Sequence, residues 1–273
     1  MTMTTRPRSS IWSYRSLIWN FTQRDLKSRF KGTALGWAWS LMVPLATLFT
    51  YSLVFSVIFR AAPPDFGNAR AGFFPVWLFC GLIPWSFFLI SVNTAIPTLL
   101  ANGPILQKVY FPSYAPIIGS VGGILVQTLI ECAILAVALV FFGVLGPTWL
   151  LFPIWLVLFA SFVTACSVSL AIVNVYFRDV AHVTNVALQL LFFLTPIIYQ
   201  SDSVPLEWNH IPLRAIVLLN PIAGFVESLR QLSYHLQVPP ISNWLGMTAW
   251  TLGAIAVALL VYRRWGLDIG EAI

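Results

Sequence analysis

Five charged side chains crowd into eight residues of this chain: Arg24, Asp25, Lys27, Arg29 and Lys31. Past Gly32 the charge stops, and residues 35–59 carry no charged group. A basic cluster against a first apolar run is the pattern that keeps that end of a membrane protein in the cytoplasm. The other chemistry-bearing pair is Gln127 and Glu131, one helical turn apart inside an apolar run. An ionised carboxylate facing lipid costs several kcal/mol, so Glu131 must face protein or water. It is either a functional carboxylate, as in an ion-coupled carrier, or a hydrogen-bonded packing residue.

The sequence lacks the usual catalytic sets. It has no G-x-x-x-x-G-K-[ST] loop, so it does not bind ATP by that route, and it has neither H-E-x-x-H nor G-x-S-x-G. His182 has no second ligand at metal spacing, and Cys80, Cys132 and Cys166 sit in apolar runs as inert thiols, so no metal is expected. A membrane-embedded transferase would have only His182 and Asp179 to work with.

The elements that carry these residues follow from composition. The 273 residues are 59% hydrophobic and 9% charged, with a mean hydropathy of +0.84, against roughly 25% charged in a soluble domain. The net charge of +6 does not indicate nucleic acid, because seven of the fifteen Lys and Arg precede residue 32, beside the first apolar run. No removable signal peptide is expected, since about thirty largely polar residues come before that run. The sequence therefore predicts an all-α membrane protein with six transmembrane helices, at 35–59, 73–96, 115–142, 149–175, 183–199 and 244–262. Alternating their ends puts both termini in the cytoplasm. Eleven basic residues then fall in cytoplasmic segments and four (Arg60, Arg70, Arg214 and Arg230) in external ones, which supports the assignment.

Residues 1–34 read as a tail followed by an amphipathic interfacial helix. Ser16, Asn20, Arg24, Lys27 and Lys31 share one of its faces, with Ile18, Phe21 and Leu26 opposite. Asp25 and Arg29 fall on the apolar side, at pairing distance. The main domain covers 35–262 and the tail 263–273. Within the domain, loop 97–112 places Ile105, Leu106, Val109, Tyr110 and Phe111 around Lys108, either as a docking patch or as an interfacial turn. Gly119 and Gly123 permit close helix approach. The external region 201–242 holds two apolar stretches split by Asn220-Pro221, read as short re-entrant helices, with Glu227 and Arg230 spaced to pair. Trp85 lies deep in the second run, where an aromatic ring either faces lipid or stacks on a sugar, and Tyr199 closes the fifth.

Arg24-Asp25-Leu26-Lys27, Arg29-Phe30-Lys31-Gly32-Thr33, Leu35-Gly36, Trp39 and Pro44 together resemble the opening of ABC-type polysaccharide export permeases of the type 2 class. These are the membrane subunits that export O-antigen, teichoic acid, capsule or galactan chains. The resemblance continues through Leu106 and Lys108-Val109-Tyr110-Phe111-Pro112, then Tyr176, Arg178-Asp179 and His182. Thr195-Pro196-Ile197-Ile198-Tyr199, Asn220-Pro221 and Arg230 complete it. It implies a homodimer working with two copies of a cytoplasmic ABC ATPase subunit, which would bind ATP and Mg, while this chain binds no cofactor. It also implies a bacterial cytoplasmic (inner) membrane location and a polyprenyl-pyrophosphate-linked glycan as cargo. Loop 97–112 would couple to the ATPase, and the external helices would form a gate. Arg24, Lys27, Arg29 and Lys31 would attract the pyrophosphate. Trp85, Gln127, Glu131, Tyr199, Asn220, Glu227 and Arg230 are the channel and gate candidates. The alternatives are an ABC efflux permease for a drug or small lipid, or a carrier coupled through Glu131.

Overall fold

An apolar chain that cannot pair its backbone with water must pair it internally, and helix does this within one segment. The computed structural model describes residues 14–30, 38–60, 63–108, 111–207, 212–267 and 269. Lys31, Val109, Tyr110 and the side chain of Arg29 lie outside the described residues. Among the described residues there is no strand. The helices are α1 (Arg15–Phe30), α2 (Trp39–Ser52, continued by a π-helical turn at Leu53–Ile58), α3 (Phe74–Ala101), α4 (Gly103–Leu106) and α5 (Tyr114–Phe141). They continue with α6 (Phe152–Tyr176), α7 (Val180–Leu194), α8 (Leu213–Leu219), α9 (Pro221–Ser233) and α10 (Ile241–Val261).

Among the described residues, four segments are long and apolar enough to cross a bilayer: α3, α5, Pro147–Tyr176 around α6, and Ile241–Gly266 around α10. The 28 residues of α3 extend about 42 Å, more than a ~30 Å hydrocarbon layer. Two further apolar helices, Met42–Ile58 and Val180–Leu194, are shorter. The run predicted over 183–199 is helical only to Leu194. Pro196 lacks an amide hydrogen and disfavours helix in the residue before it, so Thr195 turns extended (φ −97°, ψ 130°).

Helix α3 forms the centre, packed by α2, α5, α6, α7 and α9. Trp77, Leu78, Ile83, Phe87 and Val92 of α3 are buried with Trp155 and Phe159 of α6 and Phe225 of α9. The outward faces of α5 and α10 expose Val137, Val140, Phe141, Leu252 and Leu260, a surface suited to lipid rather than water.

Side-chain bonds to backbone carbonyls tie the elements together at both ends of the bundle. At the end holding α4, Ser113 Oγ donates to Gly266 O (2.8 Å) and the Tyr176 hydroxyl to Trp265 O (2.8 Å). At the end holding α9, Thr148 Oγ1 donates to Leu232 O (2.6 Å), the Tyr234 hydroxyl to Pro64 O (2.8 Å), and Arg70 to Phe142 O.

Candidate functional site

The basic helix α1 does not stand alone: it lies against the first half of α5. Phe21 meets Gly119, Thr22 meets Gly119 and Gly122, and Asp25 meets Gly123, so the two helices run in the same direction in four-residue steps. The glycine pair read as a close-approach site is one, and its partner is α1. Inward-turned Ile18, Phe21 and Asp25 belong to the side the sequence marked as apolar, whereas Asn20 and Lys27 are exposed. Arg24 Nη2 donates to Asn102 Oδ1 (2.6 Å), and Asn102 Nδ2 donates to Thr98 O (2.8 Å), joining α1 to the start of α4. Between α1, α3 and α5 lies a cavity of about 210 Å³ lined by Arg24, Asp25, Ser28, Thr94, Thr98, Asn102 and Ser120, among others.

Loop 97–112 contains a one-turn helix, α4, and its apolar residues divide. Leu106 and Phe111 are buried against Leu99, Ile117 and Ile172, and Phe21 packs on Phe111 with ring centroids 5.6 Å apart. Ile105 and Lys108 are exposed. The surface presented by the described part of this loop is therefore smaller than the full apolar run.

A cleft runs along α2, α3 and α7. Its middle part, about 550 Å³, is lined by Thr47 and Tyr51 of α2, Trp85, Ser86 and Asn93 of α3, and Asn185 and Gln189 of α7, with apolar residues between them. Asn185 and Gln189 are exposed into it, while Trp85 is buried at its wall, its ring 5.4 Å from that of Phe192. Toward the α9 end a second part, also about 550 Å³, is lined by Phe55, Phe59, Phe74, Trp77, Phe193, Ile198, Tyr199 and Gln200. Phe193 borders both parts. Sequence reasoning named Trp85 and Tyr199 but missed the amides. A signal was available: Asn185 and Gln189 are four apart and Ser86 and Asn93 seven apart, each pair on one helical face.

Behind this wall the Asn220, Arg230 and Thr195-Pro196-Ile197 motifs converge. Asn220 caps α9, its Oδ1 accepting from Ile222 N (3.0 Å), and its Nδ2 donates to Thr195 Oγ1 (2.8 Å). Arg230, 1% exposed, donates from Nη1 to Pro196 O and from Nη2 to Ile197 O, both at 2.5 Å. Its guanidinium carbon sits 3.8 Å above the Trp77 ring. Each bond from a charged donor is worth roughly 1.5–3 kcal/mol, and a desolvated cation over tryptophan adds about 2 kcal/mol. The expected pairing with Glu227 does not form; half-buried Glu227 accepts from Gln231 instead (3.4 Å). The guanidinium instead reaches two carbonyls of the non-helical turn that follows α7.

Glu131, 2% exposed, accepts from Gln127 Nε2 (3.2 Å) in the bundle interior. Neither residue lines the cleft.

The sequence pattern of the ABC-2 type transporters matches residues 16–234. The chain is 28% identical over 266 residues to the O-antigen export system permease protein RfbA of Myxococcus xanthus, covering 96% of this chain and 97% of that one. It is 29% identical over 217 residues to the Klebsiella pneumoniae protein of the same description, covering 77% of each. It is 26% identical over 248 residues to the polysialic acid transport protein KpsM of Escherichia coli, covering 88% of this chain and 90% of that one. With the match spanning most of its helices, the chain belongs to the ABC-2 type transporter family.

Proposed function

We propose that the chain is the permease subunit of an ATP-driven exporter that carries a polyprenyl-pyrophosphate-linked polysaccharide, of O-antigen, teichoic acid or galactan type, across the bacterial cytoplasmic membrane. Two copies work with two cytoplasmic ATPase subunits, which bind the ATP and Mg. Six helices (α2, α3, α5, α6, α7 and α10) span the membrane, both termini are cytoplasmic, and α8 and α9 dip in from outside. The names of the relatives support the cargo class.

The observation that carries the reading is the cleft along α2, α3 and α7, where Asn93, Asn185, Gln189 and Tyr51 alternate with aromatic rings. Amides hydrogen-bond sugar hydroxyls and rings stack on the apolar faces of pyranoses, a mixture a lipid tail has no use for. Arg24, at the cavity between α1, α3 and α5, attracts the pyrophosphate together with Lys27, Arg29 and Lys31. Ile105 and Lys108, continuing into Val109 and Tyr110, meet the ATPase.

The test is the double variant Asn185→Leu, Gln189→Leu, with export read as polysaccharide reaching the cell surface. The expected result is a loss of export of about tenfold or more, the effect of removing about 1.4 kcal/mol of cargo stabilisation, while a cytoplasmic ATPase still co-purifies with the tagged chain. Undiminished export would remove the cleft from the path, and a chain that purifies without any ATPase would remove the exporter.

A further inference from the structure

A guanidinium buried among apolar side chains, with no carboxylate in ion-pair distance among the described residues, needs a reason to be there. Arg230 reaches two elements at once. Its two nitrogens hold the carbonyls of Pro196 and Ile197, directly before Ile198 and Tyr199, which line the outer cleft. Its charged face covers Trp77 of α3, which lines the same cleft. The turn that follows α7 is secured a second time through Thr195 and Asn220. The fit is close: a Cβ on Gly81 of α3 would lie 2.7 Å from Arg230 Nη2 and 3.3 Å from Ile197 O.

We propose that Arg230 is a positioning residue for the outer opening of the path, fixing the distance between Trp77 on α3 and Tyr199 beyond α7. The proposal rests on reading the cleft as that path. Arg230 does not touch the cargo; it bridges the two walls from behind and satisfies two carbonyls that the Pro196 break leaves without helical partners. Asn220, as the cap of α9, keeps Arg230 in register with the turn. Any sugar chain leaving the path would pass between walls that Arg230 ties together from behind.

The test places a reporter cysteine at Ser201, just past the turn, and measures its labelling by a membrane-impermeant maleimide in whole cells, with the chain lacking that cysteine as the blank. Arg230→Gln, which keeps at most one of the two bonds, is expected to change the labelling rate roughly tenfold, the population shift that goes with about 1.4 kcal/mol, and to lower export. Arg230→Lys, able to reach one carbonyl and to keep the charge, is expected to lie between Arg230→Gln and the unaltered chain in both readouts. Should Arg230→Gln fail to accumulate, Gly81→Ala keeps the arginine but pushes on it and on Ile197, and is expected to act in the same direction. Unchanged labelling in Arg230→Gln or Gly81→Ala, with any loss of export matched by loss of protein, would overturn the proposal. Altered labelling with full export would also overturn it. Failure of the path itself is read separately, from full export by the Asn185→Leu, Gln189→Leu chain.

Discussion

Alanine at Gly119 should destabilise the protein, although alanine at most glycines in a helix does the opposite. In a helix with open space around it, Gly→Ala stabilises by about 1 kcal/mol, because glycine gives up more backbone freedom on folding. Gly253 of α10 is such a position, since a Cβ there meets nothing within 4 Å. At Gly119 the same atom would collide with Phe21 Cβ and lie 3.2 Å from both the Phe21 carbonyl carbon and the Thr22 amide nitrogen. None of these atoms moves with a rotamer, so α1 as a whole must withdraw by about 1 Å to regain ordinary contact. Overpacking of this kind costs about 1–3 kcal/mol. Set against the gain in helix propensity, the net effect runs from about zero to about 2 kcal/mol destabilising. Withdrawal also pulls on the bond between Arg24 and Asn102 (2.6 Å); because Arg24 is exposed, this adds only a fraction of a buried bond's worth. Thermal unfolding of the purified chain in detergent, together with trypsin cleavage after Arg24 and Lys27, reads both effects. Gly253→Ala is expected to raise the midpoint, and Gly119→Ala to lower it and speed cleavage. Midpoints that move in the same direction would refute the close docking of α1 on α5.

Two further outcomes follow from burial. Ile105→Asp with Lys108→Glu changes only exposed positions of loop 97–112, so the chain is expected to reach the membrane at its normal level while ATPase co-purification falls several-fold; Leu106→Asp, at a buried position, should instead reduce the amount of folded chain. Glu131→Gln keeps a hydrogen-bonding partner for Gln127 and removes a costly buried charge, so export and thermal stability are expected to stay level or rise; abolished transport in a normally folded chain would favour an ion-coupled carrier.

The positions of the helices could be read from the sequence because they are local: an uncharged run must be helical in a bilayer, and prolines such as Pro196 and Pro221 mark where helices stop or start. Asn220-Pro221 divided α8 from α9 as expected. What each polar group meets could not be read, because that is a tertiary matter. The i, i+3 spacing of Glu227 and Arg230 describes a pair on a solvated helix, whereas a buried guanidinium goes to the carbonyls that most need a donor, here 33 and 34 residues away in sequence. The apolar patch around Lys108 divided for a similar reason: one turn of α4 points Leu106 inward and Ile105 outward. The rule that a polar side chain inside a span marks function drew attention to Glu131, which is bonded within the bundle, and passed over Asn185 and Gln189, which are not charged. The rule becomes discriminating once it is applied to faces rather than to single residues. Two amides four apart on α7, opposite an asparagine and a serine seven apart on the central helix, share one cleft, while one carboxylate with its own glutamine partner makes a closed interior contact.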